Sequence, residues 1–319
     1  MNEAENRIEL SVVVIVVSGT KALRGFLTSL QPQLDPDTTE VIVPYDLYIK
    51  DVTALAGEFP NVLFQYVGES LGNENQTPLG RHRLFDRRRA VGLGVAKGKI
   101  IALAEDHAQP ANDWCKKLLE IHNQPYDVIG GAIENNIDSP LNWAVYYLDF
   151  GRYGRPFKSR VVNYVSDVNV SYKRRALDGN RDIWNGIYHE TTLHWTLMER
   201  GSKLFLDERA VMYQERPSIP LMQAVHERYA WGRLFAETRV EHFSFSHRLF
   251  FIAGSVLLPL LLTLRAAGHM IRQRRSVVKI AATLPIMTIL AASWSLGELA
   301  GYIIGGPLYR QTESALPGH

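Results

Sequence analysis

The sequence predicts an α/β fold, in which helices flank an open parallel sheet and further helices associate with a membrane. The segment 10–17 ends in six consecutive β-branched residues, which is typical of a parallel strand buried on both faces. Two more strand patterns, at 40–44 and 62–67, alternate with helical patterns, and this alternation indicates a parallel sheet. After His247 the composition shifts to long apolar runs, which predict the membrane-associated helices.

The composition suits a packed core and excludes several kinds of site. With 319 residues, 46% of them hydrophobic, the chain has room for one large or two modest domains. Its net charge of +2 gives no electrostatic reason to expect a nucleic acid partner. Because Cys115 is the single cysteine, an internal disulfide and a cysteine-built zinc site are excluded, and we expect it to pack within a helix. The polar amino-terminal sequence lacks a secretory signal pattern, so we expect a cytoplasmic amino-terminal domain.

The first strands are followed by turns and helices. Ser18 begins the turn after the first strand, and the next helix has an apolar stripe at Leu23, Leu27 and Leu30. The second strand ends beside Asp46, and another helix is predicted near 50–58. No G-x-G-x-x-G pattern follows the first strand, which disfavours an ordinary dinucleotide site.

A basic stretch at 81–89 follows a loop at 68–80 that is rich in Gly, Asn and Pro. We expect this stretch to continue as a helix to Lys97, with Gly98 at its end. Most charge runs are solvated helix faces. This one leads directly into a strand at 100–104, so an arginine could also approach a phosphate ligand there, and Arg89 is the best placed.

Three metal-capable side chains, Glu105, Asp106 and His107, end the predicted strand at 100–104. Ligands of open α/β sheets gather beyond the carboxyl ends of the strands, and acidic groups there can hold a cation that bridges to phosphates. The sequence therefore predicts a site for a phosphorylated substrate. The alternative is that acidic residues here only cap the next helix, as Asn112 or Asp113 would do unaided.

The order of these motifs resembles family 2 glycosyltransferases of the GT-A fold over roughly the first 240 residues. The resemblance rests on the segments 12–17, 40–46, 89–92, 97–98 and 104–107. It implies a mixed, mostly parallel sheet and a nucleotide-diphospho-sugar donor. In its terms Asp46 contacts the nucleotide, while Ser18, Arg89 and Asp106 lie on the donor side.

The resemblance also places Glu105 and His107 on the family's D-x-D metal motif. A glutamate replaces the first aspartate of that motif and a histidine the last. Both residue types still bind a divalent cation, Mn²⁺ or Mg²⁺. Imidazole suits Mn²⁺ better, and it must be neutral to ligate.

Paired glycines interrupt a strand predicted at 127–134, which follows a helix at 114–123 and precedes an aromatic helix at 142–150. Gly130 and Gly131 mark a bulge or a close approach; the resemblance implies a bound sugar there, and simple sheet packing explains Gly131 equally well. In a strand predicted at 165–172, Asp167 and Asn169 alternate with valines, so we expect both to point away from the core. For Asn169 we prefer a role in holding the shape of the site over direct chemistry.

Glu190 stands in the first turn of a helix that stops at Gly201. A carboxylate there usually serves the helix dipole. In the family the matching helix begins with Glu-Asp, whose second residue is the catalytic base, so the resemblance assigns that role to Glu190. His189 would place a positive charge or a hydrogen-bond donor beside it. The expected acceptor-side residues are Trp184, His189 and Asn169.

A last strand is predicted at 203–213, followed by a mobile connection and a helix at 221–239. This helix occupies the place of the family's donor-covering segment. Arg228 and Arg233 are therefore the expected grips on the pyrophosphate.

Two apolar runs, at 249–264 and 279–306, end the chain on either side of a basic loop. The positive-inside rule assigns this loop to the cytoplasm, which two complete crossings from a cytoplasmic domain would not allow. We therefore expect 249–264 to be a re-entrant or in-plane element bent at Pro259, and about 280–305 to span the membrane. The alternative is a buried helical hairpin of a soluble domain.

Two features of the second apolar run indicate protein contacts. Glu298 would be costly against lipid, so we expect it to face protein, water or a partner. Gly301 and Gly305 have the spacing that lets helices approach closely, which suggests a homo-oligomer through these helices.

The prediction is thus a GT-A domain at 1–240 and a membrane-associated region at 241–319. Its function is that of an inverting, metal-dependent glycosyltransferase on the cytoplasmic membrane face, with a lipid-linked or glycan acceptor. The alternative is a catalytically degenerate homologue that binds nucleotide as a scaffold of a polysaccharide-assembly complex.

Overall fold

The computed structural model describes residues 7–49, 51–68, 78–240 and 244–304, including their side chains except those of 78, 79 and 238. Its strands are β1 (Leu10–Ile15), β2 (Thr39–Tyr45), β3 (Val62–Tyr66), β4 (Ile100–Glu105), β5 (Ala108–Pro110), β6 (Val128–Asn135), β7 (Arg160–Val162), β8 (Asn169–Lys173) and β9 (Leu204–Gln214). Its α-helices are α1 (Thr20–Leu30), α2 (Pro78–Val95), α3 (Trp114–His122), α4 (Pro140–Asp149), α5 (Arg174–Asp178), α6 (Arg181–Trp184), α7 (Glu190–Glu199), α8 (Leu221–Val240), α9 (Phe245–Gly254), α10 (Leu258–Arg272) and α11 (Val277–Ile304).

The chain divides into two compact units. The first comprises Met1–Ile137 and Tyr153–Pro217, and the second comprises Asp138–Arg152 and Ser218–His319. Helices α4 and α8 therefore belong to the second unit, whereas the sequence prediction placed both in a domain that ran to residue 240. The physical reason is that their apolar faces pack against α11, which is far from them in the sequence.

The described strands of the first unit form one mixed sheet in the order β3-β2-β1-β4-β8-β6-β9-β5, with β7 also paired to β9. The pairs β1/β2, β1/β4, β2/β3 and β6/β9 are parallel. The pairs β4/β8, β6/β8, β5/β9 and β7/β9 are antiparallel. The predicted mixed α/β class is confirmed, although parallel pairs do not predominate among these strands.

Strand β1 lies between two parallel neighbours and is buried along its whole length. Val12 and Val14 face a cluster that contains residues of α1 and α3, including the buried Cys115. Val13 and Ile15 face a second cluster, with residues of α2 and α7. The continuous β-branched run therefore reflects burial on both faces, as predicted.

Two segments differ from the predicted secondary structure. Among the described residues near 50–58, only a short 3₁₀ helix forms, Val52–Gly57, and it begins after Asp51, whose φ is +61°. Strand β8 begins at Asn169 instead of near 165, because Ser166 and Asn169 close a turn through their backbone. Most of the predicted loop at 68–80 lies outside the described residues, and α2 already begins at Pro78.

The paired glycines of β6 are explained by packing within the protein. A Cβ atom on Gly130 would lie 2.5 Å from Val165, and one on Gly131 would lie 2.2 Å from both the Ala210 oxygen and the Asn169 amide. The register with β9 also shifts after Gly131. Both predicted reasons for glycine, a bulge and a close approach, are therefore present.

Within the second unit, α8 and α11 cross at glycine. A Cβ atom on Gly232 would lie 2.2 Å from the Trp294 oxygen, and one on Gly297 would lie 2.1 Å from the Tyr229 oxygen. Gly301 meets Ala236 of α8 in the same way. The predicted contact at Gly301 is thus made within the chain, while Gly305 lies outside the described residues and a homo-oligomer stays a prediction.

One described helix, α11, is long and apolar enough to cross a membrane, with a mean hydropathy of 1.7 over its most apolar window. Helices α9 and α10 qualify only if taken together, and they are bent by 66° at the break between them. Pro259, where the bend was predicted, lies in the first turn of α10. Glu298 is buried and accepts hydrogen bonds from Trp294 and Tyr302 of its own helix, so it faces protein.

Candidate active site at the carboxyl ends of β1 and β4

One side chain of the segment that follows β4 binds the turn after β1. Asp106 turns toward the amino terminus of α1, where both of its carboxylate oxygens accept hydrogen bonds at 3.0 Å from the N–H groups of Ser18 and Gly19. This carboxylate is buried and accepts from two N–H groups of the turn that precedes α1. Asp106 therefore anchors the turn after β1, and the donor contact that was expected of it stays a prediction.

Glu105 and His107 lie next to each other at this edge. Glu105 Oε2 is 3.2 Å from His107 Nε2, and the other ring nitrogen of His107 lies 3.3 Å from the Ser18 hydroxyl. Adjacent ligands of an octahedral cation are about 3 Å apart, so these two side chains fit one divalent ion. No group of three or more His, Cys, Asp or Glu side chains in the described ranges is arranged to hold a metal. A cation here would depend on substrate and water for its other ligands, as Mg²⁺ commonly does.

Arg89 of α2 bridges two carboxylates from different parts of the sheet. Its Nη2 atom lies 2.7 Å from Glu105 and 2.8 Å from Asp167, and its Nη1 atom lies 3.2 Å from Asp86. Only 2% of the residue is exposed. Burial opposes the charge, but the carboxylates of Asp167, Glu105 and Asp86 outweigh it and raise the pKa of Arg89. The guanidinium is therefore a fixed positive charge beside the two candidate metal ligands.

Glu190, the first residue of α7, is held at both carboxylate oxygens. The Tyr164 hydroxyl donates to one oxygen and the Asp167 backbone N–H to the other, each at 2.6 Å. Burial, followed by the negative charge of Asp167, raises the pKa of Glu190 well above its usual value, and the bond from Tyr164 opposes this shift. The site therefore contains an oriented carboxylate whose basicity exceeds that of an exposed glutamate.

Asp46 follows β2 and is fully engaged by Arg88. The Arg88 guanidinium binds both Asp46 oxygens at 2.8 Å, and its remaining nitrogen donates to the Val16 carbonyl at the end of β1. Both side chains are buried. Since bidentate pairing fixes both partners, Asp46 and Arg88 tie α2 to the ends of β1 and β2. The sequence analysis singled out Asp46 and overlooked Arg88.

Comparison with known proteins decides the class of this site. Residues 81–180 match the profile of Glycosyl transferase family 2. This segment is similar to that family. The predicted enzyme class, a glycosyltransferase, is thereby confirmed, and the matched segment contains Arg89, Glu105 and Asp167. No curated protein sequence matches the chain.

Two solved structures are similar to most of the chain. One is the mannosyltransferase PcManGT from Pyrobaculum calidifontis, in complex with GDP-Man and Mn²⁺, with 13% identity, a TM-score of 0.48, and coverage of 98% of this chain and 77% of that one. The other is S. aureus TarS 1-349 in complex with UDP-GlcNAc, with 14% identity, a TM-score of 0.49, and coverage of 91% and 93%.

Several residues expected to bind substrates in this glycosyltransferase are committed elsewhere. Trp184 is buried in the core, and its indole N–H donates to the Leu177 carbonyl. Asn169 is buried as well, since it accepts from Trp114 and donates to the carbonyls of Ala132 and Ala210. The expectation that Asn169 points away from the core is therefore wrong. It joins three segments beneath the site, which agrees with the preferred role in holding the site's shape.

The two arginines of α8 have partners within the second unit. Arg228 is buried and pairs with both oxygens of Asp149, and Arg233 pairs with Glu237 at 3.0 Å. A contact of either guanidinium with a pyrophosphate stays a prediction. His189 caps α7, because its Nδ1 accepts from the Thr192 N–H at 3.3 Å. His189 thus serves the start of α7, and the expected positive charge or hydrogen-bond donor beside Glu190 stays a prediction.

Besides Arg88, the sequence analysis missed the roles of three contributors to the site. Tyr164 and Asp86 gave no pattern that would single them out. Asp167 was noticed only for its alternation with valines, yet it lies in the turn before β8 and contacts both Arg89 and Glu190. An acidic residue two positions before the start of a buried strand was the available signal for its role.

Proposed function

We propose that this glycosyltransferase is an inverting enzyme that moves a sugar from a nucleoside-diphosphate donor to an acceptor hydroxyl at a membrane. One observation carries the proposal: a continuous set of contacts joins His107 and Glu105 to Arg89, Arg89 to Asp167, and Asp167 to Glu190. The residues suited to the leaving group and the residue suited to the nucleophile therefore belong to one cluster beyond the strand ends.

Glu190 would act as the general base. The acceptor oxygen forms a bond to the anomeric carbon, the bond from that carbon to the diphosphate oxygen breaks, and the acceptor proton goes to Glu190. The raised pKa of Glu190 makes it a stronger proton acceptor than an exposed glutamate, and a positioned base contributes on the order of 10²- to 10⁴-fold. Tyr164 and the Asp167 N–H would keep the carboxylate oriented during the transfer.

The leaving diphosphate would meet Arg89 and the pair Glu105 and His107. These two side chains would hold a divalent cation, Mn²⁺ or Mg²⁺, which stabilises negative charge on a departing phosphate when it is bound. Arg89 would hold Glu105 in position, because its guanidinium is buried and already bonded to that carboxylate. Ser18 would orient the His107 ring through its hydroxyl.

The membrane part of the proposal is supported by α11, which is long and apolar enough to cross a bilayer. A bilayer-attached enzyme meets lipid-linked acceptors at high local concentration, so a lipid-linked acceptor is favoured over a free glycan. The catalytic unit would face the cytoplasm.

Replacing Glu190 with Gln tests the assignment of the base. We expect E190Q to bind nucleoside-diphosphate sugars nearly as well as the unaltered chain, while transfer falls by about 10²-fold or more, since the amide cannot take a proton. Donors can be found by thermal stabilisation with a panel of nucleotide sugars, and transfer can be measured on membrane lipid extracts. The matched control is E199Q, at the other, exposed end of α7. Retained transfer in E190Q would remove this residue from the role, and donor binding with no transfer in any variant would favour the scaffold.

Replacing His107 with Ala tests the cation site. In the unaltered chain, calorimetry should detect tighter binding of GDP or UDP when Mn²⁺ is present. In H107A this gain should disappear, because one carboxylate alone is left to hold the ion. The exposed His247 provides a control substitution, H247A, that should keep the gain. Equal Mn²⁺ dependence in H107A and in the unaltered chain would show that the cation lies elsewhere.

A further inference from the structure

Helix α10 of the second unit carries basic residues along one face. Arg265, His269 and Arg272 are spaced by four and three residues, so they share one side of the helix. The two arginines are exposed and His269 is half-buried. We refer to these three residues and Arg152 as the α10 basic cluster.

Arg152 joins this cluster from the chain segment that follows α4. Its neighbour Gly151 is buried so tightly that a Cβ atom would lie 3.1 Å from the His269 ring. The Gly151 carbonyl accepts hydrogen bonds from Arg272 at 3.4 Å and from Gln273 at 3.2 Å. These contacts fix the end of α4 against the last turns of α10 and bring the three arginines and His269 together.

Three arginines lie around His269. Burial, followed by the positive charges of Arg272, Arg265 and Arg152, lowers the pKa of His269 to about 4. Cations held at close range repel one another, and a bound anion relieves that repulsion.

The half of α10 that precedes the cluster is apolar and open to solvent. Leu260, Leu261 and Leu264 are each close to 60% exposed, as is Leu257 just before the helix. After the cluster, Val277 and Val278 at the start of α11 are about 80% exposed. An apolar stretch directly beside a set of arginines is the pattern of a helix that lies in a membrane interface, with its leucines among acyl chains and its cations at headgroup level.

We propose that the α10 basic cluster binds the phosphate groups of anionic phospholipids at the bilayer surface. The inference rests on the membrane attachment in the proposed function and adds the class of lipid that is recognised. Free phosphate offers the same charge. The exposed leucines favour the lipid, because a soluble anion would leave this apolar surface in water.

The proposal can be tested on the full chain purified in dodecyl maltoside. Dioleoyl phosphatidylglycerol, which is anionic, and dioleoyl phosphatidylcholine, which is zwitterionic, are added at equal mole fractions, and inorganic phosphate is added in a third arm. We expect the anionic lipid to raise the thermal unfolding midpoint by several degrees more than the zwitterionic lipid does. High salt should reduce this difference, and inorganic phosphate should not reproduce it.

Paired variants separate charge from folding. The double variant R265Q/R272Q should lose most of the difference between the two lipids, whereas R265K/R272K should retain it, because the surface potential acts on charge. A control of equal charge loss, R7Q/R24Q, removes two exposed arginines of the first unit and should behave like the unaltered chain.

Three results would overturn the proposal: equal stabilisation by both lipids, an unchanged difference in R265Q/R272Q, or an equal effect of inorganic phosphate. If R265Q/R272Q fails to fold, native mass spectrometry of the unaltered chain and of R265K/R272K still tests the proposal. Both proteins should retain more phosphatidylglycerol than phosphatidylcholine, and equal retention would overturn it. None of these measurements reads sugar transfer. Failure of membrane attachment itself would appear separately, as a chain that stays soluble without detergent.

Discussion

At the scale of single residues, the site is organised by Arg89 and not by the acidic triplet that first indicates it. One guanidinium nitrogen contacts both Glu105 and Asp167. Because Asp167 also donates its backbone N–H to Glu190, a change on either side of Arg89 alters the electrostatic surroundings of the proposed base. The pKa of Glu190 is therefore the quantity most sensitive to substitutions in this cluster.

Two substitutions should move the acid limb of the pH–rate profile in opposite directions. Asp167→Asn removes a negative charge beside Glu190, so the pKa of Glu190 should fall and activity should persist to lower pH. Tyr164→Phe removes a hydrogen bond to the carboxylate, so that pKa should rise and activity should be lost at higher pH. The measurement is kcat/KM against pH for each variant and for the unaltered enzyme. Shifts in the same direction would contradict the assignment of Glu190 as the titrating base.

At the scale of elements, a glycine in a strand determines where a side chain from a neighbouring strand can approach the backbone. Gly131 leaves room for the Asn169 amide, which in turn reaches the Ala132 and Ala210 carbonyls. The bulge in β6 and the polar anchor of β8 are therefore one packing feature. Gly25, in contrast, lies on the exposed side of α1 with nothing within 4 Å of its absent Cβ.

Alanine should have opposite effects at these two glycines. Gly131→Ala must displace Asn169 or the strand beside it, and we expect a loss of about 1–3 kcal/mol or more in stability. Gly25→Ala should gain up to about 1 kcal/mol, because alanine is the better residue in a helix interior. Unfolding by denaturant of both full-length variants would measure the difference. An unchanged stability in Gly131→Ala would show that the sheet can open at this point without cost.

At the scale of the whole molecule, the chain combines a catalytic unit with a unit whose helices expose much apolar surface. Helix α11 meets the length and composition of a membrane span, while α9 and α10 are bent by 66°. A bend of this size at a three-residue break is compatible with a broken span and with a re-entrant element. For the predicted re-entrant element, the basic loop between α10 and α11 would lie on the cytoplasmic side.

Cysteine labelling tests this topology with little background. The only native cysteine, Cys115, is buried, and burial raises the pKa of its thiol to about 12, so it should not react. Arg274 is exposed in the loop, whereas its neighbour Gln273 is buried and bonded to Tyr147. We expect Arg274→Cys to react with an impermeant maleimide only after cells are opened. The control, Leu47→Cys in the first unit, should show the same dependence on opening the cells. Labelling of the Arg274→Cys chain in intact cells would contradict a re-entrant α9 and α10.

The sequence could predict every element whose pattern is set by local chemistry. Hydrophobic patterning over neighbouring residues was enough to predict three elements. These are the β-branched strand β1, the apolar stripe of α1 and the long apolar helix α11. The acidic triplet after β4 was found in the same way, because its position at a strand end is a local property. The separate role of Asp106 could not be predicted, since that depended on where the turn before α1 lies.

By itself, then, the sequence determined the α/β class, the location of the site after β4 and the apolar character of the last third. Only the tertiary structure decided that Asp106 accepts hydrogen bonds from the turn before α1 and that Arg88 pairs with Asp46. It also decided that Asn169 is a core residue and that Arg89 contacts both Glu105 and Asp167. The physical reason is distance along the chain. Burial and periodicity can be predicted from the pattern of residues close together in the sequence. The partner of a buried charge, in contrast, depends on packing between segments that lie tens of residues apart.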